Sequence, residues 1–191
     1  MSVIIAQDYN YILRIHGIMM FLAWFICSVI GIYIARFLRK INWFPIHLFF
    51  TIATLLLTVA SFILIVLYRP VPHFVSLDSL NNAHVKIGLT IFIALILQVI
   101  LGTVSHIFYA QRHSNESPLW FNQIHKVLGK FLTILAIINV IIGMYVYSSF
   151  RSISTGYFVA IYILLGVIVW VFIASESTYR IKQRNRDRNT N

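Results

Sequence analysis

The chain has 191 residues, of which 60% are hydrophobic and 10% charged, and it carries a formal net charge of +10. Soluble domains are roughly a quarter charged, so an ordinary water-soluble fold is excluded and the lipid bilayer is the first partner implied. The basic residues bracket apolar runs and form no face of their own, which excludes nucleic acid as a partner.

Residues 1–14 (MSVIIAQDYNYILR) have no basic leader and no small-residue cleavage site. They are expected to be a short extracytoplasmic N-terminus, with the first apolar run serving as its own insertion signal. Uncharged runs of 21, 28, 25, 20 and 24 residues then follow Arg14, Lys40, Lys86, Lys130 and Arg151. A bilayer core of about 30 Å needs about 20 helical residues, so each run is long enough to cross. None alternates as a membrane barrel strand does, which leaves helices to satisfy the backbone in lipid. The expectation is an all-α membrane protein of five transmembrane helices. Its parts are the N-terminus 1–14, a transmembrane domain 15–178 and a basic tail 179–191.

A histidine stands near the start of four of the five runs. The first has His16 followed by Gly17, the second has Pro45 as a helix start just before His47, the third has His84 and the fourth has His125. Ser117 and Pro118 read as an N-cap and first helical position, placing His125 two turns inside its helix. The fifth run, from about Gly156 to Ser175, has no histidine. It is expected to cover the outside of a core made by the other four, and it offers a surface for a homodimer. Cys27, the single cysteine, allows no intrachain disulfide and reads as a packing residue.

With alternating spans, one side holds four basic residues (Arg14, Arg69, Lys86, Arg151) and the other eleven. The positive-inside rule places the second side, and the tail, in the cytoplasm. His16 and His84 then begin on the outer side, His47 and His125 on the cytoplasmic side. In an up-down-up-down four-helix bundle the first and third helices are diagonal, as are the second and fourth, so each pair faces across the interior. Ionisable groups at this depth are costly and ask for a common purpose. That purpose is expected to be two six-coordinate bis-histidine haems, one near each surface.

The third and fourth runs also repeat. Aligned on their histidines, HVKIGLTIFIALILQVILG (84–102) and HKVLGKFLTILAIINVIIG (125–143) match at seven of nineteen positions, including the glycines at +4 and +18. Both offsets fall on the face of the histidine. Gly102 and Gly143 are expected to admit a ring edge at the level of the other haem, with Gly88 and Gly129 making room beside the ligand. Small-residue helix packing is the alternative use of these glycines. Gln98 and Asn139 occupy matching positions, either pointing between the haems or bonding to one another. By depth His106 competes with His125 as the partner of His47, and the repeat favours His125. His73 and His113 read as interfacial. Lys126 and Lys130 on the cytoplasmic side, and Lys86, Arg14 and Arg69 outside, are candidates for haem propionates or an anionic donor; snorkelling anchors are the other reading.

These residues carry a resemblance. LRIHGIMMFLAWFICSVIGIYIARFLR, WFPIHLFF, the two His-to-Gly segments and the ending SESTYR are similar to the transmembrane domain of the cytochrome b561 family. The branch they resemble is the one associated with DOMON domains and ferric-chelate reductase-like proteins, and the resemblance covers residues 12 to 180. It implies haem b on His16, His47, His84 and His125, and single-electron transfer across a membrane. The implied donor is cytoplasmic ascorbate and the implied acceptor monodehydroascorbate or a ferric chelate. No DOMON domain precedes the first span, so the outer acceptor is expected to be a separate molecule. Stretches like ALLVYR and SLHSW, associated with ascorbate use, are missing, which leaves ascorbate a family default. Two other readings stand beside this one. One is a haem b membrane anchor passing electrons between quinol and a partner oxidoreductase; the other is a haem-free transporter or assembly protein.

Overall fold

The computed structural model describes residues 2–38, 42–67, 82–110, 120–150 and 152–190. Among them, five helices are long and apolar enough to cross a membrane: Asn10–Phe37, Trp43–Leu67, Ala83–Phe108, Trp120–Ser149 and Thr155–Arg188. The first four form an up-down-up-down bundle. Each packs on its neighbour in sequence and the first closes against the fourth, while diagonal spans make no close backbone approach among the described residues. Space for a ligand therefore lies between diagonals. The centre is filled by Ala23, Trp24, Ile91, Leu95, Leu132 and Ala136, contributed by the first, third and fourth spans.

The first span is continuous but not uniform. It is α-helical over Ser2–Phe21, π-helical over Leu22–Cys27 and α-helical again over Ser28–Phe37. The Ser28 N–H reaches past Trp24 to the Ala23 carbonyl, and the Trp24 carbonyl accepts the Ser28 hydroxyl at 2.8 Å. The Thr54 hydroxyl of the second span also approaches the Ala23 carbonyl, at 3.3 Å. A π turn inserts one residue into a helix. Here it turns Ala23, Trp24 and Phe25 inward, and all three are almost fully buried.

Helix boundaries depart from the sequence reading at both ends of the chain. Helix begins at Ser2, well before residue 15. The last helix runs Thr155–Thr190, through the tail, where Glu176 and Arg180 form an i,i+4 pair at 3.0 Å and the charged residues are good helix formers. The fourth span begins at Trp120; Ser117 and Pro118 lie outside the described residues. The fifth span stands outside the bundle and is pinned at its two ends. Arg36 pairs with Glu176 at 3.0 Å and Tyr33 bonds Ser175 at 2.9 Å, while at the opposite end the Tyr145 and Tyr162 hydroxyls meet at 2.9 Å.

Ser28→Ala removes the hydroxyl that donates to the Trp24 carbonyl. A hydrogen bond of this kind is worth about 0.5–1.5 kcal/mol, so a lower melting temperature in detergent is expected, with Ser28→Thr close to the parent. Equal melting temperatures for the Ala variant and the parent would show that the hydroxyl is dispensable.

Candidate functional site

The antiparallel arrangement brings each opening histidine against the far half of its neighbour in the chain. His16, on the first span, meets Ser61 of the second: Nδ1 lies 2.8 Å from Ser61 Oγ, and the hydroxyl donates to the His16 carbonyl at 3.3 Å. The Ser61 carbonyl, 3.4 Å from the same nitrogen, can only accept, so Nδ1 carries the proton and the hydroxyl accepts from the ring. His47 Nδ1 donates to the Gly31 carbonyl at 2.9 Å, and His84 Nδ1 donates to the Asn139 carbonyl at 3.0 Å. A carbonyl accepts and never donates, so Nδ1 carries the proton in both rings. Nε2 is then the bare nitrogen in His16, His47 and His84.

His16 and His84 face one another across the diagonal, with ring centroids 6.3 Å apart and planes at 88°. A metal–imidazole bond is about 2 Å. Two such bonds, with the distance from nitrogen to ring centre on each side, account for a separation of this size. His125 lies within electrostatic reach of His47 on the other diagonal. Its buried Nδ1 makes no hydrogen bond as short and straight as those of the other three rings, and the ring interacts with the backbone of Gln98.

The repeat of the third and fourth spans takes a definite form. Gln98 Nε2 donates to the His125 carbonyl at 2.7 Å. In the orientation its surroundings favour, the Asn139 amide donates to the His84 carbonyl at 3.1 Å and accepts from the Gly88 N–H at 3.3 Å. The two amides thus reach the histidine of the opposite span, neither bonding to one another nor lying between the sites. The glycines serve these contacts. A Cβ on Gly143 would stand 2.7 Å from His84 Cε1 and one on Gly102 2.8 Å from His125 Cε1. A Cβ on Gly129 would stand 2.6 Å from Gln98 Nε2, and one on Gly88 3.2 Å from the Asn139 amide. The neighbouring span's imidazole thus lies over Gly102 and Gly143, and an amide lies beside Gly88 and Gly129.

Ser61 and Gly31 were not legible as site residues. The missed signal is an offset: Ser61, Gln98 and Asn139 each fall 14 residues after the histidine of their own span, and Gly31 falls 15 after His16. The π turn between His16 and Gly31 supplies the extra residue. His106 is set apart from the four, exposed and stacked on Phe44 with centroids 3.9 Å apart. Lys86, Lys126 and Lys130 are exposed, and Arg14 donates from Nε to the Tyr147 hydroxyl at 3.1 Å. Arg69, His73 and His113 lie outside the described residues.

The family model for eukaryotic cytochrome b561 matches residues 15–151. The mouse protein named ferric-chelate reductase 1 is 28% identical over 169 residues, covering 83% of this chain and 26% of its own length. An Arabidopsis thaliana cytochrome b561, DM13 and DOMON domain-containing protein is 28% identical over 143 residues, 72% of this chain and 15% of that protein. A second Arabidopsis thaliana protein, described as cytochrome b561 domain-containing, is 24% identical over 200 residues, 95% of this chain and 72% of its own. The chain thus spans about a quarter of the length of the mouse reductase it matches. No solved structure matches the chain.

Gly102→Ala and Gly143→Ala force an imidazole to move, and overpacking of this kind costs about 1–3 kcal/mol. Both variants are expected to melt lower than the parent. Gly17→Ala and Gly166→Ala, where nothing lies within 4 Å of the added carbon, should melt at the parent temperature or slightly above it, as alanine is the better helix former. Four equal melting temperatures would remove the packing argument.

Proposed function

Because the chain belongs to the eukaryotic cytochrome b561 family, whose members are haem b membrane proteins, we propose that it is a transmembrane oxidoreductase with two bis-histidine haem b groups. His16 and His84 hold one and His47 and His125 the other, within a functional domain of residues 15–178. The observation that carries this reading is the His16–His84 pair, 6.3 Å apart, with both Nδ1 atoms committed to protein acceptors and both Nε2 atoms bare. Two imidazoles cannot complete the coordination of a bare cation, whereas a porphyrin brings four nitrogens of its own. At the second site His125 stands within electrostatic reach of His47 and beside the Gln98 backbone.

When bound, bis-histidine haem iron supplies one-electron chemistry with no open coordination position, which favours electron transfer over oxygen binding. The residues of the chain hold the rings in one tautomer, fix their planes and exclude water. In this reading one site lies toward each membrane surface. The four-against-eleven division of basic residues supports a cytoplasmic location for the His47–His125 end and the tail, with the N-terminus outside. Lys126 and Lys130, exposed one and five residues beyond His125, suit an anionic donor such as ascorbate. Arg14, held by Tyr147 at 3.1 Å, and Lys86 stand at the opposite mouth, toward an acceptor such as monodehydroascorbate or a ferric chelate. The name of the mouse relative, ferric-chelate reductase 1, supports the second acceptor.

Purified protein expressed with ample haem is expected to contain two low-spin haem b per chain by pyridine haemochrome assay. His16→Ala or His84→Ala should lose one haem and His47→Ala or His125→Ala the other, while His106→Ala keeps both. One haem or none in the parent sinks the reading, and loss of a haem in His106→Ala sinks the pairing. In vesicles holding ascorbate on the lysine side, replacing both Lys126 and Lys130 by Gln should slow haem reduction by about ten-fold or less, since each screened contact is worth roughly 1 kcal/mol or less. Unchanged kinetics would discard the lysine assignment, and reduction by a quinol alone would move the donor to the membrane phase.

A further inference from the structure

Counting from each histidine toward the far end of its span leads to one place. Thr54, Ile91 and Leu132 stand seven residues after His47, His84 and His125, and Ala23 and Trp24 stand seven and eight after His16. All five are buried. Ala23, Trp24, Ile91 and Leu132 pack together with Leu95 and Ala136 as the core cluster, and the Thr54 hydroxyl reaches the Ala23 carbonyl at 3.3 Å. At 1.5 Å per residue, Trp24 lies about 12 Å along its helix from His16 and about 10 Å from Gly31, whose carbonyl holds His47. It is therefore level with the middle of the gap between the two histidine pairs. Trp24 is the one aromatic member of the cluster, is 2% exposed, and belongs to the π turn Leu22–Cys27. Such single π turns inside α-helices occur frequently at functional sites. Phe25, equally buried, stacks instead on Phe21 of its own span.

We propose that Trp24 is the bridge between the two sites, its indole carrying the electronic coupling by which one electron crosses the middle of the membrane. This rests on the two-haem reading above. In the step, one electron leaves the reduced site and arrives at the oxidised one, and the indole ends as it began, neither oxidised nor protonated. Tunnelling weakens exponentially with the poorly filled distance between donor and acceptor, so what fills this gap sets the rate. Ile91 and Leu132 fill it with aliphatic carbon, whose electrons are tightly held. The indole adds a large π system, close-packed against the third and fourth spans with the density of a protein interior. The protein's contribution to haem chemistry is position and surroundings, and at the midplane Trp24 supplies both.

The test uses the purified two-haem protein in phosphatidylcholine vesicles. A membrane-impermeant flavin photoreductant outside delivers one electron by laser flash to the outward-facing site. Its passage to the other site is followed where the spectra of the single-haem His16→Ala and His47→Ala proteins differ. Trp24→Leu should slow that passage several-fold and Trp24→Phe, which keeps an aromatic ring, by less. Haem content, midpoint potentials and the initial photoreduction should stay as in the parent. Position is tested without electron transfer, by tryptophan emission in protein whose Trp43, Trp120 and Trp170 are replaced by Phe. Trp24 emission should be quenched to a similar extent when only the His16–His84 haem is present and when only the His47–His125 haem is. This arm stands even if Trp24→Leu fails to hold haem. Passage at the parental rate in Trp24→Leu with both haems retained, or quenching by one haem alone, would overturn the proposal. A parent with fewer than two haems would instead overturn the reading on which it rests.

Discussion

An imidazole inside a membrane-spanning helix has an N–H that water cannot reach, and a buried donor left without an acceptor costs on the order of a whole hydrogen bond. The bundle meets this need between antiparallel neighbours. His16 finds Ser61 and His47 finds Gly31 in the first pair of spans; His84 finds the Asn139 carbonyl in the second. Because each acceptor lies 14 or 15 residues beyond the histidine of its own span, and a helix rises 1.5 Å per residue, the histidines of adjacent antiparallel spans, such as His16 and His47, are separated by about 21 Å along the membrane normal. One reciprocal contact thus sets the tautomer of the rings, the register of adjacent spans and the depth of both sites.

The two antiparallel pairs achieve that contact by different means. Between the third and fourth spans, side-chain-free positions let an imidazole or an amide lie on the neighbouring backbone, at Gly102, Gly143, Gly129 and Gly88. Between the first and second spans, the carbon that a side chain would add at Gly31 meets only ordinary contacts, 3.5 Å and beyond. There the adjustment is made by the π turn at Leu22–Cys27, whose extra residue realigns Gly31 with His47. The carbonyls disturbed by that turn are taken up by Ser28 and Thr54, two hydroxyls placed where lipid could offer nothing.

The fifth span takes no part in this scheme. It is tied to the first span through Arg36, Glu176, Tyr33 and Ser175 and to the fourth through Tyr145 and Tyr162, leaving the histidine pairs to the four-helix core. Proposed electron transfer therefore depends on the core alone, with exposed cations at the two mouths and a packed centre around Trp24 keeping water out between them.

Span number, the grouping of four histidines into two diagonal pairs and the third-to-fourth repeat were all legible in the chain. In lipid, length and charge spacing leave a helix few alternatives, and a helix repeats its face at fixed offsets. The partners of those histidines were not legible. Gly31 and Asn139 act through backbone carbonyls, which every residue has, and the serine at 61 is one hydroxyl among many. The offset joining them to Gln98 is hidden in the first span by a single inserted residue whose π turn no periodicity announces. Those contacts and the seating of imidazoles and amides on glycines were decided only when the helices were brought side by side. Hydrogen bonds between spans depend on relative rotation and height, which only tertiary packing sets.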